Sequence, residues 1–557
     1  MTQAVTAPPR TGAEALADAI AAEGTEVVFG VLGDGNLHWV PRLVERHGAR
    51  YVAARHEAGA VAMADGYARA TGRPGVCTVT QGPGLTQTGT TLTEARRART
   101  PVVLVAGDTL RGFHDHAQDI AQEPFALATA GAYRGVGHAG TLGKDVAEAF
   151  RHARLGHGPI VLSVPLDAQT APMADGAPEY VPSTRGLAPV QRAAPDPDRV
   201  AAVAALLAEA ERPVVLAGRG AVAAGARAEL LDLAERIGAV LVTSLQAKGW
   251  FRGERFDLGI AGGFSHDLCR EVVGEADLVL AVGARLNRFT VAHGSLFPQA
   301  RLVHVDRDPD AIGHTAPVDD AIVADARSAA RALLEALPDE ARTGLRTESL
   351  RERIAAFDPL AGLEFAAPGG GADPREVALV CDEELPRGRL VLMGTGHYNG
   401  LPAIHVAVDD PLDLVLPWSF GAVGVAVPTG IGVALGRPDR TTVVFEGDGG
   451  LMMSLTELDT AVRARAPLLV VVLDDGAYGA ETYMLRKHGL DDALSLFANP
   501  DIAGVARALG MDAYEADDGD GVRAALREAM PLAGPALLRV RLNPEVWHEE
   551  VFRALTG

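Results

Sequence analysis

Short apolar runs, each closed by glycine or a polar residue, alternate with helix-period segments along nearly the whole chain. The first block shows the pattern. A helical "TGAEALADAIAAEG" is followed by "EVVFGVLGDGN", "LHWVPRLVERHG", "RYVAARHE", the small-residue helix "AGAVAMADGYARATG", "GVCTVTQGPG", a further helix and "PVVLVAGD". Strands that are apolar at almost every position are buried on both faces, the condition of a parallel sheet covered by crossover helices. The pattern predicts an α/β protein with three doubly wound, mainly parallel-sheet domains. Two Pro/Ala-rich stretches, about 182–197 ("PSTRGLAPVQRAAPDP") and 365–374 ("FAAPGGGADP"), read as linkers. They place domains at 1–182, 190–345 and 370–557, and a chain of 557 residues is long enough for a core in each. The middle block carries its own strands in "RPVVLAGRG", "ADLVLAVGARL" and "ARLVHVDRDP". The outer blocks are candidates for one shared fold, without letter-for-letter repetition.

Charge and composition exclude several classes. A net charge of −21 argues against a nucleic-acid partner, since phosphate binding needs basic patches. No run approaches the ~18 apolar residues of a membrane helix, and "MTQAVTAPPRTGAEALADAI" has no signal-peptide core. A cytoplasmic protein with no membrane partner is expected. Cys77, Cys269 and Cys381 are scattered without metal spacing and are expected to be buried, inert thiols.

The chemistry concentrates in "VVFEGDGGLMMSLTELDTAVRARAPLLVVVLDDGAYGAE", Val443 to Glu481. Two strand-like runs end there in acidic residues beside glycines, and ligands of open α/β sheets bind at the carboxyl ends of strands. Gly447-Asp448-Gly449-Gly450 precedes Leu451, Leu455, Leu458 and Val462, a helical spacing. Backbone N–H groups of a glycine-rich turn at a helix start suit a phosphate. An aspartate in the same turn repels phosphate unless a cation lies between, and oxygen ligands select Mg²⁺ or Ca²⁺. Asp475 follows 27 residues after Asp448, a strand–helix–strand interval. The spacing predicts neighbouring strands whose aspartates clamp a metal on a diphosphate.

This arrangement resembles the cofactor motif of thiamin diphosphate (ThDP)-dependent 2-oxo acid decarboxylases and acetolactate synthases. The family usually ends the motif in Asn-Asn, and this chain has Asp474-Asp475, which keeps the oxygen donors and adds negative charge. "ARHEAGAVAMADGYARATGRPGV" resembles the family's pyrimidine-domain signature. "RPVVLAGRG" and "LVHVDRDP" resemble its middle domain, and "PWSFGAVGVAVPTGIGVALG" the segment beneath the thiazolium ring. The resemblance implies a pyrimidine-binding, a middle (transhydrogenase-like) and a diphosphate-binding domain. It implies ThDP and Mg²⁺, with Asp448, the Asp475 side chain and the Ala477 carbonyl as metal ligands.

The resemblance also distributes roles. Glu57 activates the cofactor through its aminopyrimidine. Val423 holds the cofactor bent. Gly396, His397 and Tyr398 contact the diphosphate from one side, and Gly447, Gly449, Gly450, Tyr478 and Gly479 complete its binding. Asp34, Glu481, His114 and His116 form the acid–base set. A single residue separates the two histidines, so only one is expected to point inward. Gln122 and His116 are expected to meet substrate. The implied reaction is decarboxylation of a 2-oxo acid to an enamine intermediate, released as an aldehyde or ligated to a second carbonyl compound such as an aldehyde or another 2-oxo acid. The alternatives are an acetolactate-synthase-type carboligase with FAD in the middle domain, a flavin-linked oxidase, or a cofactor-free binding relative. The resemblance further implies a homodimer or homotetramer.

Overall fold

The structure is a computed structural model that describes residues 10–113, 115–174, 179–187, 191–366 and 370–547. It contains three six-stranded sheets. The first is built from β1 (Val27–Gly30), β2 (Arg50–Ala53), β3 (Gly75–Val79), β4 (Val102–Asp108), β5 (Tyr133–Gly135) and β6 (Ile160–Pro165), in the order β2-β1-β3-β4-β6-β5. The second uses β7 (Pro213–Ala217), β8 (Val240–Thr243), β9 (Asp257–Ile260), β10 (Leu278–Val282), β11 (Arg301–Asp306) and β12 (Asp320–Val323), ordered β12-β11-β10-β7-β8-β9. The third uses β13 (Leu390–Met393), β14 (Leu414–Val415), β15 (Thr442–Gly447), β16 (Leu468–Asp474), β17 (Asp512–Ala516) and β18 (Ala536–Arg541), ordered β14-β13-β15-β16-β18-β17. The pairing is parallel throughout, and helices supply the crossovers. Three parallel α/β sheets are what the continuous apolar runs predict.

Counted within their own blocks, the first and third sheets have the same strand order, so the shared fold of the outer blocks is real although their letters differ. The middle sheet has the order of dinucleotide-binding folds. All seven residues of β16 are buried. Burying each Val or Leu of such a strand stabilises the fold by about 1.5–3 kcal/mol. The three cysteines are buried and none is in a disulfide. Among the described residues no helix is long and apolar enough to cross a membrane.

The chain divides into two compact units. One comprises residues up to 188 with 389–399 and 415–542, and holds the first sheet and nearly all of the third; the other comprises 189–388, 400–414 and 543–557, and holds the second. Within the former, the helix Glu57–Thr71 lies directly on the helix Ala426–Gly436. Glycines set this approach: a Cβ at Gly66 would stand 2.0 Å from the Thr429 carbonyl oxygen, and one at Gly432 1.9 Å from that of Met63.

Candidate active site

β15 and β16 are neighbours, with Gly447 opposite Leu473, so the two acidic strand ends lie side by side. The segment after Gly447 is a helix in two pieces, Asp448–Ser454 and Glu457–Ala464, where the apolar spacing predicts one. Leu455 and Thr456 between them keep α-region dihedrals, so the axis continues while the hydrogen-bond ladder breaks. Asp448 is buried. Its Oδ1 accepts from Gly449 N–H (2.8 Å) and its Oδ2 from Gly476 N–H (3.0 Å) and Asn499 Nδ2 (2.6 Å).

Burial, and then the charge of Asp448, push the Asp475 carboxyl up; burial likewise pushes Asp448 up, with Asp474 adding repulsion. Two strand-end carboxylates both raised by burial, one of them further by the charge of the other, suit a hard cation. No cluster of three His, Cys, Asp or Glu side chains arranged for a metal occurs among the described residues. Ala477, the expected third ligand, forms an isolated antiparallel bridge with Leu496.

Asp474, the departure from Asn-Asn, stands beside Asp448 and has a cation of its own. Its Oδ2 takes both Nε and Nη2 of Arg539 at 2.6 Å, and its Oδ1 accepts from Asn499 Nδ2 at 2.8 Å. The extra negative charge is therefore balanced by Arg539 on β18. Asn499 ties Asp474 to Asp448.

The opposite wall is the loop after β13. His397 and Tyr398 are buried with ring centroids 3.8 Å apart, and His397 Nε2 lies 4.0 Å from Asp475 Oδ2. Burial pushes the imidazole down to about 3, so it is neutral. Gly479 is needed here, because a Cβ would stand 2.0 Å from His397 Cε1 and 2.5 Å from Asp475 Oδ2. At Gly449 a Cβ would strike the Tyr478 ring at 2.7 Å, whereas at Gly447 it meets nothing within 4 Å. Gly396 has only Asn399 Nδ2 near it, at 3.3 Å.

Below this floor sits Glu446, fully buried, with Gly447 N–H on Oε1 at 3.1 Å and no hydrogen-bond partner for Oε2. Gly394 and Gly450 make room for it, since a Cβ at either would stand 2.1 Å or 2.4 Å from Oε1. Burial pushes the Glu446 carboxyl up from 4.5 to about 8. The folded chain thus favours the acid form, and this contribution to stability is complete below about pH 4.5 and lost as the pH rises through about 8. The thermal midpoint of cofactor-free Glu446→Gln should gain on that of the parent between about pH 5 and pH 9. A pH-independent difference would show that the carboxyl is not held protonated.

The remaining expected residues lie on the first sheet or at loop ends. Glu57 is half-buried at the first position of its helix, with Oε1 3.7 Å from where a Gly84 Cβ would be. Asp34 is exposed in the turn after β1, and Glu481 is exposed in the first turn of the helix Gly479–Lys487. His116 is half-buried and accepts from Gln118 N–H at 3.1 Å, while His114 lies outside the described residues. Gln122 is buried. Its Oε1 accepts from Gly82 N–H (3.2 Å), and its Nε2 donates to Gly107 O (2.9 Å) and Ser163 Oγ (3.2 Å). Its amide therefore holds the Gly82 turn. Val423 and Tyr478 are exposed.

Glu457, Asn499, Arg539 and Glu446 were not anticipated as contributors. Glu446 carries the one readable signal, a carboxylate closing an otherwise apolar strand run.

Parallel sheets with an acidic clamp at the strand ends, facing an aromatic-lined loop, define a cofactor-dependent α/β enzyme. Comparison with known families gives it a place. Residues 10–128 match the thiamine pyrophosphate enzyme N-terminal TPP binding domain, 200–333 the central domain and 394–540 the C-terminal TPP binding domain. The chain is 32% identical over 550 residues to a probable 2-ketoarginine decarboxylase of Pseudomonas aeruginosa, covering 95% of this chain and 94% of that protein. It is 30% identical over 551 residues to the acetolactate synthase large subunit of Parasynechococcus marenigrum (96% and 88%). To a sulfoacetaldehyde acetyltransferase of Castellaniella defragrans it is 29% identical over 557 residues (93% and 92%). The chain belongs to the thiamine pyrophosphate enzyme family and is a ThDP-dependent enzyme of the decarboxylase and carboligase group. A cofactor-free binding relative is thereby set aside.

Proposed function

We propose that this enzyme decarboxylates a 2-oxo acid with ThDP and Mg²⁺, and either releases the product as an aldehyde or joins it to a second carbonyl compound. The supporting observation is the pair of strand-end carboxylates Asp448 and Asp475, both raised by burial and Asp475 further by the charge of Asp448, an arrangement a divalent cation relieves. The cofactor supplies the carbon nucleophile and the electron sink for decarboxylation. Asp448, Asp475 and the Ala477 carbonyl hold the metal. Gly447, Gly449, Gly450, Gly396, His397, Tyr398, Tyr478 and Gly479 line the diphosphate. Val423 props the cofactor.

Glu57 holds and moves the proton at the aminopyrimidine. Asp34, Glu481, His114 and His116 handle protons at the substrate carbon. Gln122 shapes the substrate pocket through the Gly82 turn. The blocks 1–182, 190–345 and 370–557 are assigned as pyrimidine-binding, middle and diphosphate-binding domains.

A second copy of the chain completes the site in this reading. It is supported by apolar side chains left open near the strand ends of both outer sheets: Leu32 and Phe113 on the first, Val423, Met453 and Tyr478 on the third. Light scattering of the purified protein should give at least a dimer.

The test is a panel of 2-oxo acids, aliphatic, aromatic and guanidinium-bearing, with and without ThDP and Mg²⁺, scoring CO₂, aldehyde and hydroxy ketone. CO₂ release that needs both additions, and that stops on chelation with EDTA, is expected. No CO₂ from any member would refute the reading. The dinucleotide-type strand order of the middle sheet favours a second reading, a carboligase or oxidase with FAD there. A flavin absorption band in the purified protein would select it.

A further inference from the structure

Glu457 opens the second piece of the helix that follows Gly447, yet its carboxylate is buried against the other sheet of the same unit. Its Oε1 accepts from His56 N–H at 2.9 Å and from Arg55 N–H at 3.2 Å, and its Oε2 accepts from Arg55 N–H at 3.3 Å and from Thr460 Oγ1 at 2.7 Å. Arg55 and His56 are the two residues that lead into the helix begun by Glu57, where His56 is the N-cap. Gly59, one turn on, gives the carboxylate its space, since a Cβ there would stand 2.3 Å from Glu457 Oε1. A lone buried carboxylate is costly, and packing alone is better served by an apolar side chain. Here both oxygens are satisfied, by the Thr460 hydroxyl and by two peptide N–H groups of the other segment that no side-chain substitution can remove.

We propose that Glu457 is a positioning residue for Glu57: its carboxylate, carried by the third sheet's helix, pins the Arg55 and His56 N–H groups, on the two peptides that lead up to Glu57. The proposal rests on Glu57 being the group that handles the aminopyrimidine proton. With Glu457 in place, the entry peptides cannot rotate without breaking charge-assisted hydrogen bonds, so the direction of the Glu57 Cα–Cβ bond is set by a residue 400 positions away in the chain. A displacement of about 1 Å at such a group costs on the order of 10²-fold in rate. Gly59 is the second requirement, because any side chain there evicts the carboxylate.

The experiment uses the full chain with Glu457→Ala, Glu457→Gln and Gly59→Ala. In the cofactor-free protein, amide hydrogen exchange read by mass spectrometry over residues 53–60 should lose protection in Glu457→Ala and Gly59→Ala and keep most of it in Glu457→Gln, whose amide oxygen still accepts. In the protein loaded with ThDP and Mg²⁺, exchange of the cofactor's C2 proton into D₂O reads the Glu57 step without turnover. It should slow by about 10²-fold in Glu457→Ala and Gly59→Ala, with Glu457→Gln much closer to the parent. A purely structural role would lower the melting temperature and leave C2 exchange in the folded protein unchanged. Parent-like C2 exchange in Glu457→Ala, or unchanged amide protection, overturns the proposal. A parent protein with no C2 exchange instead overturns the role given to Glu57, and the amide arm still decides whether Glu457 pins the entry.

Discussion

Glu57→Gln should lower the rate of ThDP-dependent CO₂ release by about 10²–10⁴-fold, the usual range for losing a positioned proton-transfer group. The same change should hardly touch the fold. Glu57 is only half-buried and sits at the start of its helix, where an acidic side chain contributes about 0.3–1 kcal/mol through the dipole. Glutamine keeps the volume and the hydrogen-bonding oxygen and removes the proton. Steady-state CO₂ release and circular dichroism of the same preparation measure both halves. Full rate in a folded Glu57→Gln protein would remove Glu57 from the mechanism.

Arg69→Met should have the opposite profile, a large loss of stability from a residue with no chemical role. The Arg69 Nε donates to Asp65 Oδ2 at 2.8 Å, its Nη2 to Glu94 Oε1 at 3.0 Å and its Nη1 to the Leu416 carbonyl at 3.3 Å. The three side chains are 10%, 3% and 4% exposed in the order Arg69, Asp65, Glu94. One guanidinium holds two buried carboxylates, so its removal leaves two uncompensated anions. Breaking a single such pair costs about 3–5 kcal/mol. The midpoint of urea unfolding should fall accordingly, and Arg69→Met with Asp65→Asn and Glu94→Gln should recover part of it. An unchanged midpoint in the single variant would refute the stabilising role given to Arg69. Glu94 Oε2 also accepts the Phe420 N–H at 2.6 Å. The loop that carries Val423 should therefore loosen with it.

These two residues differ in how readable they were. Glu57 lies in a contiguous motif, and its meaning came from resemblance. Arg69 and Asp65 form an i,i+4 pair visible on a helix, but nothing local says that Glu94 closes the triad or that all three are buried. Asp448 and Asp475 were legible together because one crossover helix separates neighbouring parallel strands, which ties a sequence interval to a spatial distance. Asp474 was legible as a departure, while its partner Arg539 was not. The two occupy neighbouring strands, β16 and β18, but are 65 residues apart in the chain.

The amino-acid sequence by itself determined the class of fold and the floor of the site. Continuous apolar strands alternating with helix-period segments are buried in parallel sheets covered by crossover helices, and glycine-flanked acids at their ends are set by local chain geometry. Tertiary structure alone decided which acids are buried, which are paired, and what holds them. Arg539 on Asp474, Asn499 between two aspartates, Glu457 under Arg55 and His56, and the glycine notches at Gly66 and Gly432 all depend on contacts between distant segments. Burial and pairing are properties of those contacts, and no periodicity along the chain encodes them.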